Sequence, residues 1–449
     1  MIKNLTEGNP LKLILQFSIP LILGNLFQQT YNMVDTAIVG KTLGANALGS
    51  VGASSSIQFL VLGFCMGISL GFGIPIAREF GAGNLSKMRS YIFNGIILCA
   101  IIAISTTVLC VFFCDDILKL LQTPDILFSD ANSYLSIIFI GISCNILYNF
   151  TSSILRAVGN SKTPFYFLVF SSILNVILDF YCILVLHWGV AGAAIATVFS
   201  QGLSGILCII LIKKKYEILQ LQTENKHLDK ELCINLLAMG LPMGFQFSIT
   251  AIGSMFIQSS NNALGAIYTS GFAAATKIKQ FFLNMLDSLA VGISTYVSQN
   301  LGAKKFDRII IGLKQGTCVG IIFAIIIGII LNLFGIQLSC LFLPPDNEQV
   351  LLISYQFLRT IGWFFFVLAT LMIVRMSLQG LGFAKRAVIT GFLEMLARMI
   401  ISIFFVPIFG YTAVCFADPI PWIIGAIYVL IMFKICFDKV SSSSKSSII

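Results

Sequence analysis

Few residues of this chain can do chemistry, because 57% of its 449 residues are apolar and only 10% are charged. Those few are spaced for helices. Gln28, Tyr31, Asn32 and Asp35 recur at three, four and seven residues, which sets them on one face of a helix. Asn145 and Asn149, Asn175 and Asp179, and Thr197 and Gln201 are each four apart, so three further apolar segments carry one polar stripe apiece. Turned toward one another, the four stripes build an oxygen-rich pocket holding two carboxylates, Asp35 and Asp179. Carboxylate, amide and hydroxyl oxygens suit a small hard cation. The same pair can instead hold a proton, since two like charges in a low dielectric do not both stay bare. Either way the pocket is expected to bind a cation. The competing reading makes the two acids hydrogen-bonding groups between helices, a costly use of acids that have no basic partner in the same half.

The second half carries both signs. Its ionisable groups inside apolar stretches are Lys277, Lys279, Asp287, Arg359, Glu394, Arg398 and Asp418. Glu394 and Arg398 are four apart and can pair on one helix face, and Asp418 stands before Pro419, where a helix must break. A neutralised structural network and a role in substrate binding or coupling both fit these residues, with Gln28, Tyr31 and Gln258 as further polar groups for a substrate path. Pro20 interrupts the first apolar segment and Pro242 the seventh, as fixed kinks or as hinges; Pro20 is the candidate hinge beside the cation pocket. The stretch from Gly67 to Gly71 fits the G-x-S-x-G nucleophile pattern, but the histidines are His187, at a span end, and His227, in a polar linker. Neither reaches Ser69, so the glycines read as small-residue helix packing and the chain as no enzyme.

The elements that must position these residues are membrane spans. A mean hydropathy of +0.94 with 39 Phe describes a chain that lives in a bilayer. Apolar stretches able to cross about 30 Å occur near 14–38, 52–77, 91–113, 134–155, 165–186, 190–212, 234–260, 270–297, 311–334, 352–376, 387–408 and 412–436. The sequence is also written twice: 52–82 maps onto 273–303 at a shift of 221, and Ser18–Asn25 maps onto Gly240–Phe247. Six spans per half is an even number, so both halves have the same orientation. The expected fold is therefore an all-α membrane protein of twelve transmembrane helices, in two six-helix lobes related by a pseudo-twofold axis along the membrane normal. The expected boundaries are 1–212 for the first lobe, 213–233 for a cytoplasmic linker, 234–437 for the second lobe and 438–449 for a disordered tail.

With both termini inward, most Lys and Arg, including Arg78, Arg156, Lys213 to Lys215, Lys304, Lys305 and Arg375, fall on the cytoplasmic side, while Lys41 and Lys119 fall outside. The net charge of +9 is thus a topology signal and marks no nucleic-acid partner. The first apolar span lacks a signal-peptide cleavage site and stays as helix one. The twelve cysteines are scattered through spans without a CxxC pair, as small packing residues. No cofactor is expected, and the chain reads as a monomer of the cell membrane.

These residues carry a family resemblance. The stretch IPLILGNLFQQTYNMVDTAIVGKTLGANALGSVG in the first span, RAVGNSKTP at Arg156, NVILD from Asn175 to Asp179, and QNLGAKKFDR at Gln299 resemble the multidrug and toxic compound extrusion family. The resemblance implies two six-helix lobes that export organic, often cationic, compounds against an inward flow of sodium ions or protons. Family members with a first-lobe cation site use an aspartate in helix one, an asparagine in helix four, an Asn-x-x-x-Asp pair in helix five and a threonine in helix six. Asp35, Asn149, Asn175, Asp179 and Thr197 match that pattern, with sodium as a possible ligand of Asp35, Asn175, Asp179 and Thr197. Another branch relies on acids in helices seven and ten, which this sequence lacks. A lipid-linked precursor flippase of the wider superfamily is the alternative, kept open by Lys277, Lys279, Arg359 and Arg398.

Overall fold

A long apolar segment can satisfy its backbone in a bilayer only as a helix, and the chain folds accordingly. The computed structural model describes residues 2–121 and 123–446, and among these every regular element is helical. The elements are α1 (Pro10–Leu43), α2 (Ala45–Gly81), α3 (Leu85–Phe112), α4 (Cys114–Leu120), α5 (Asp125–Ile140), α6 (Ile142–Ala157), α7 (Lys162–Phe180), α8 (Gly189–Lys215), α9 (Lys230–Asn262), α10 (Ala266–Gly302), α11 (Phe306–Ser339), α12 (Glu348–Gly362), α13 (Phe365–Gly380), α14 (Ala384–Ile400), α15 (Val406–Phe409), α16 (Tyr411–Phe416) and α17 (Pro419–Ser446). Ten helical segments are long and apolar enough to cross a membrane singly, and two bent pairs bring the crossings to twelve.

The bent pairs are the expected fourth and tenth spans, each broken by a sharp turn. α5 and α6 meet at 44°, α12 and α13 at 55°. The first bend turns on Gly141, where an added Cβ would collide with Val198 of α8. Pro20 and Pro242 do not break their spans. Both lie inside continuous helices, α1 and α9, so each proline removes one hydrogen bond without ending the helix. Asp418 does stand at a break, between α16 and α17. The linker is helical at its ends and holds two short turns, Glu217–Leu219 and Thr223–Asn225. The tail expected to be disordered begins inside α17, which runs to Ser446; residues 447–449 lie outside the described residues.

The chain divides into two compact units: unit 1 is Met1–Asn4 with Leu23–Ser248, and unit 2 is Leu5–Ile22 with Ile249–Ile449. In unit 1 the core packs Phe72, Tyr91, Phe139 and Phe150 from α2, α3, α5 and α6. There α9 crosses α2 glycine on glycine. A Cβ on Gly67 would lie 2.5 Å from the Met243 carbonyl oxygen, and one on Gly71 would lie 2.7 Å from Gly240 Cα. This close crossing is the small-residue packing read from Gly67 and Gly71, and Ser69 is buried with its hydroxyl donating to the Cys65 carbonyl. Unit 2 centres on the fully buried Tyr296, Phe357, Phe365 and Trp422. Its start is clasped where Leu5 N donates to Gln299 Oε1 at 2.9 Å and Arg308 Nη1 donates to the Gly8 carbonyl at 2.9 Å. On α3, Ile101, Ile104, Val108 and Phe112 are exposed along one face. Such a stripe needs an apolar solvent, which lipid supplies.

Candidate functional site

In unit 1 the polar stripes meet. α7 brings Asn175 and Asp179 to one face, because residues four apart stack along a helix, and α8 lies alongside with Thr197. With the Asn175 amide oriented as the network demands, its nitrogen donates to Asp179 Oδ2 at 3.1 Å. Its oxygen accepts from Thr197 Oγ1 at 3.3 Å and from Thr197 N at 3.0 Å. α1 supplies Asp35, whose carboxyl faces that of Asp179 at hydrogen-bonding range, and Tyr31, which shares a hydrogen bond with Thr197. Asn175 and Asp179 are essentially inaccessible, at 1% and 0% exposure, and one oxygen of each acid, Asp35 Oδ1 and Asp179 Oδ1, is buried without a partner. Among the described residues no ion pair reaches either acid. A buried carboxylate, Asp179, and a half-buried one, Asp35, face to face without a basic group would repel strongly. The arrangement is one that a small cation or a shared proton would neutralise.

The first-half residues divide into two networks. Asn149 donates to the Asn145 carbonyl and to Asn145 Oδ1 at 2.9 and 3.0 Å, and Asn145 donates to Gln201 Oε1 at 3.2 Å. At 1.5 Å per residue, Gln201 lies about 6 Å along α8 from Thr197, and Asn149 about 6 Å farther along α6 from Asn145. The amide chain therefore sits toward the Lys215 end of α8, and its bonds do not join Asn149 to the acids. Gln28 is half-buried on α1, three residues before Tyr31. Two residues that the sequence reading missed complete the acid cluster: Tyr134 on α5, 4% exposed and electrostatically coupled to both acids, and Gln58 on α2, which hydrogen-bonds it. A tyrosine and a glutamine in long apolar helices carry no signal that singles them out.

Unit 2 holds an ion network larger than the expected Glu394–Arg398 pair. Lys279 Nζ lies 2.6 Å from Asp418 Oδ2, and Arg398 donates to Asp418 Oδ1 from Nε at 3.2 Å, with Nη2 at 3.1 Å from the same oxygen. Arg398 Nη2 is 3.7 Å from Glu394 Oε2, and Arg375 Nη1 donates to Glu394 Oε1 at 3.0 Å. Arg375 is a correction. Expected as a cytoplasmic-side charge at the end of the tenth span, it is buried in α13 at 9% exposure, because that helix continues to Gly380. Asp287 on α10 faces Arg375 electrostatically. Lys277 lies over the Phe342 ring at 5.7 Å, Arg359 is exposed at the end of α12, and Gln258 donates to Asn262 Oδ1 at 2.7 Å. The basic residues that kept a flippase open are thus partly neutralised, Lys279 and Arg398 both by Asp418.

Known proteins align with this arrangement along most of its length. The MatE family pattern matches residues 20–181 and 242–404. YpnP of Bacillus subtilis (strain 168), described as a probable multidrug resistance protein, is 33% identical over 305 residues, which is 68% of this chain and 68% of its own. YoeA of the same organism, described in the same way, is 28% identical over 377 residues, 82% of this chain and 80% of its own. An outward-facing multidrug resistance MATE family transporter superposes with a TM-score of 0.90 over 98% of this chain and 98% of its own, at 21% identity. That likeness is one of fold.

Proposed function

The chain belongs to the MatE family of multidrug and toxic compound extrusion transporters, and on that premise we propose that it is a secondary active antiporter. It exports organic, often cationic, compounds in exchange for sodium ions or protons by alternating access. The observation that carries this reading is the pair of facing carboxylates, Asp35 and Asp179, each with a buried unpartnered oxygen and no basic neighbour. A transporter needs a coupling site that is unstable empty and stable when filled, and two uncompensated acids, one buried and one half-buried, supply that property.

In this reading Asp35 and Asp179 hold the coupling cation, and Asn175 and Thr197 add neutral oxygens and fix the Asp179 side chain. Tyr31 and Gln28 line the organic substrate's path on α1, with Gln258 and Lys277 as its polar groups in unit 2. Cation binding favours one conformation and lowers substrate affinity there, a coupling that is reciprocal. Pro20 is where α1 flexes. The protein sits in the cell membrane with both termini in the cytoplasm.

The test is dye efflux from proteoliposomes with sodium and pH gradients imposed separately. One gradient alone should drive uphill export of a cationic dye, and export should collapse when that gradient is dissipated. Export indifferent to both gradients would refute antiport at these acids.

A further inference from the structure

Unit 2 differs from unit 1 in the sign of what it leaves unpaired. Six ionisable side chains form a chain of alternating charge: Asp287, Arg375, Glu394, Arg398, Asp418 and Lys279. It starts and ends on α10. Five of the six are tied by direct contacts of 2.6 to 3.7 Å, namely Arg375 to Glu394, Glu394 to Arg398, Arg398 to Asp418 and Asp418 to Lys279. Those five are three cations and two anions, so the bonded group carries one excess positive charge. The sixth, Asp287, lies within electrostatic range of Arg375 and makes no hydrogen bond or ion pair in direct contact among the described residues.

The excess has an address. Arg375 Nε and Arg398 Nη1 are buried donors without an acceptor, on side chains only 9% and 5% exposed. A buried unmet donor costs about 1–3 kcal/mol, more when charged. Two of them on neighbouring guanidinium groups, beside one unbalanced charge, describe a place for one anion. Guanidinium donors match a planar carboxylate best, through paired N–H bonds. A diphosphate would bring more negative charge than the single excess can balance. Asp287 already plays the anion's part at longer range. It lies half-buried on the α10 stripe with Gln280 and Asn284, where Gln280 Nε2 donates to Asn284 Oδ1 at 3.0 Å, so it has a polar surface to turn toward when displaced.

We propose that unit 2 contains a binding site for the carboxylate of an organic substrate, formed by Arg375 and Arg398, with Asp287 as the resident counter-ion that the substrate replaces. The site rests on the export reading above and refines its substrate class. Zwitterionic amphiphiles with one free carboxylate are then substrates in their own right, and blocking the carboxylate weakens them.

The test uses a matched dye pair, rhodamine B, with a free carboxylate, and its ethyl ester, bound to the purified full-length protein at pH 7 and followed by fluorescence polarisation. Rhodamine B is expected to bind about tenfold tighter than the ester, the size of one charge-assisted interaction. The neutral double variant Arg375→Gln with Glu394→Gln should erase that preference. Asp287→Asn, which removes the competitor, should tighten rhodamine B several-fold without tightening the ester. Equal or weaker binding of the acid by the unaltered protein overturns the carboxylate site, whatever the variants do, and leaves the export reading standing. Failure of both dyes to bind overturns the two together. Loss of affinity for the acid in Asp287→Asn overturns the counter-ion role.

Discussion

Asp418 is the residue whose removal the structure makes most legible. At 3% exposure it holds Lys279 at 2.6 Å and Arg398 at 3.1 Å. At an effective dielectric near 20, the two contacts are worth roughly 6.4 and 5.4 kcal/mol of gross attraction, most of it offset by desolvation. Asp418→Asn keeps the shape and removes the charge, so its cost is set by the cations it strands. They are not stranded equally. Arg398 retains Glu394 at 3.7 Å, whereas among the described residues Lys279 retains only the Phe357 ring at 5.6 Å. The single variant is expected to lose about 3–5 kcal/mol, the range for breaking one side of a buried ion pair. Adding Lys279→Met should recover more than half of that. Adding Arg398→Met instead should recover little, because Lys279 stays bare and Glu394 loses a partner. Reversible unfolding in mixed micelles, read as a double-mutant cycle, measures the difference. A loss below about 1 kcal/mol for Asp418→Asn, or equal rescue by the two second changes, would refute the assignment of Lys279 as the stranded charge.

Four further outcomes follow from the same geometry. Asp35→Asn and Asp179→Asn should each abolish cation-coupled dye export while leaving membrane insertion intact; near-normal export by both at equal protein level would remove the acids from the coupling site. Thr197→Ala should impair sodium-driven export more than proton-driven export, because a hydroxyl oxygen coordinates a metal ion while a proton needs only a carboxylate and one hydrogen-bond partner; equal loss in both modes would make Thr197 a packing residue. Glu394→Gln alone should destabilise more than Glu394→Gln with Arg375→Gln, since the single change takes from Arg375, at 9% exposure, its one direct ion pair among the described residues and leaves it Asp287 only at longer range; chemical denaturation of the two variants decides it. Gly71→Val should abolish accumulation of folded protein, because even a Cβ would fall 2.7 Å from the Gly240 backbone; normal expression and melting would mean that α9 can move off α2 without cost.

The carboxylates of unit 1 were legible in the sequence because a charge inside an apolar span is conspicuous and its helical spacing predicts its face. Asp35, Asn175, Asp179 and Thr197 stand together in space for that reason. Asn149 matched the same spacing rule yet bonds in the separate amide network, since spacing along one helix does not fix height relative to another. Tyr134 and Gln58 were illegible because their place depends on how α5 is turned beyond the bend at Gly141 and on how α2 packs beside it. Arg375 was misplaced for a hydropathy reason. The apolar run ends at about 376, so an arginine there looks like an interfacial charge, but α13 runs four residues beyond that edge, which keeps Arg375 inside the helix, and Glu394 of α14 captures it.

The two units thus arrive at opposite electrostatic solutions from one repeated sequence pattern. The stretch around Asp179 maps onto the stretch around Arg398 at the repeat shift, and each is followed by a wider helical turn, Tyr181–Val185 and Ile401–Phe405. In unit 1 that helix end presents an acid to another acid; in unit 2 it presents a guanidinium to two acids. Duplication preserved the backbone device, a π-type turn that widens the helix; the buried charge before it stands at a different place in each unit, Asp179 two residues before its turn and Arg398 three residues before its own. A cation has a reason to enter the first unit, where two acids lack a counter-ion. The second unit is nearly balanced without one. The driving ion is therefore expected to act in unit 1, and what unit 2 can discriminate is the charge of the substrate.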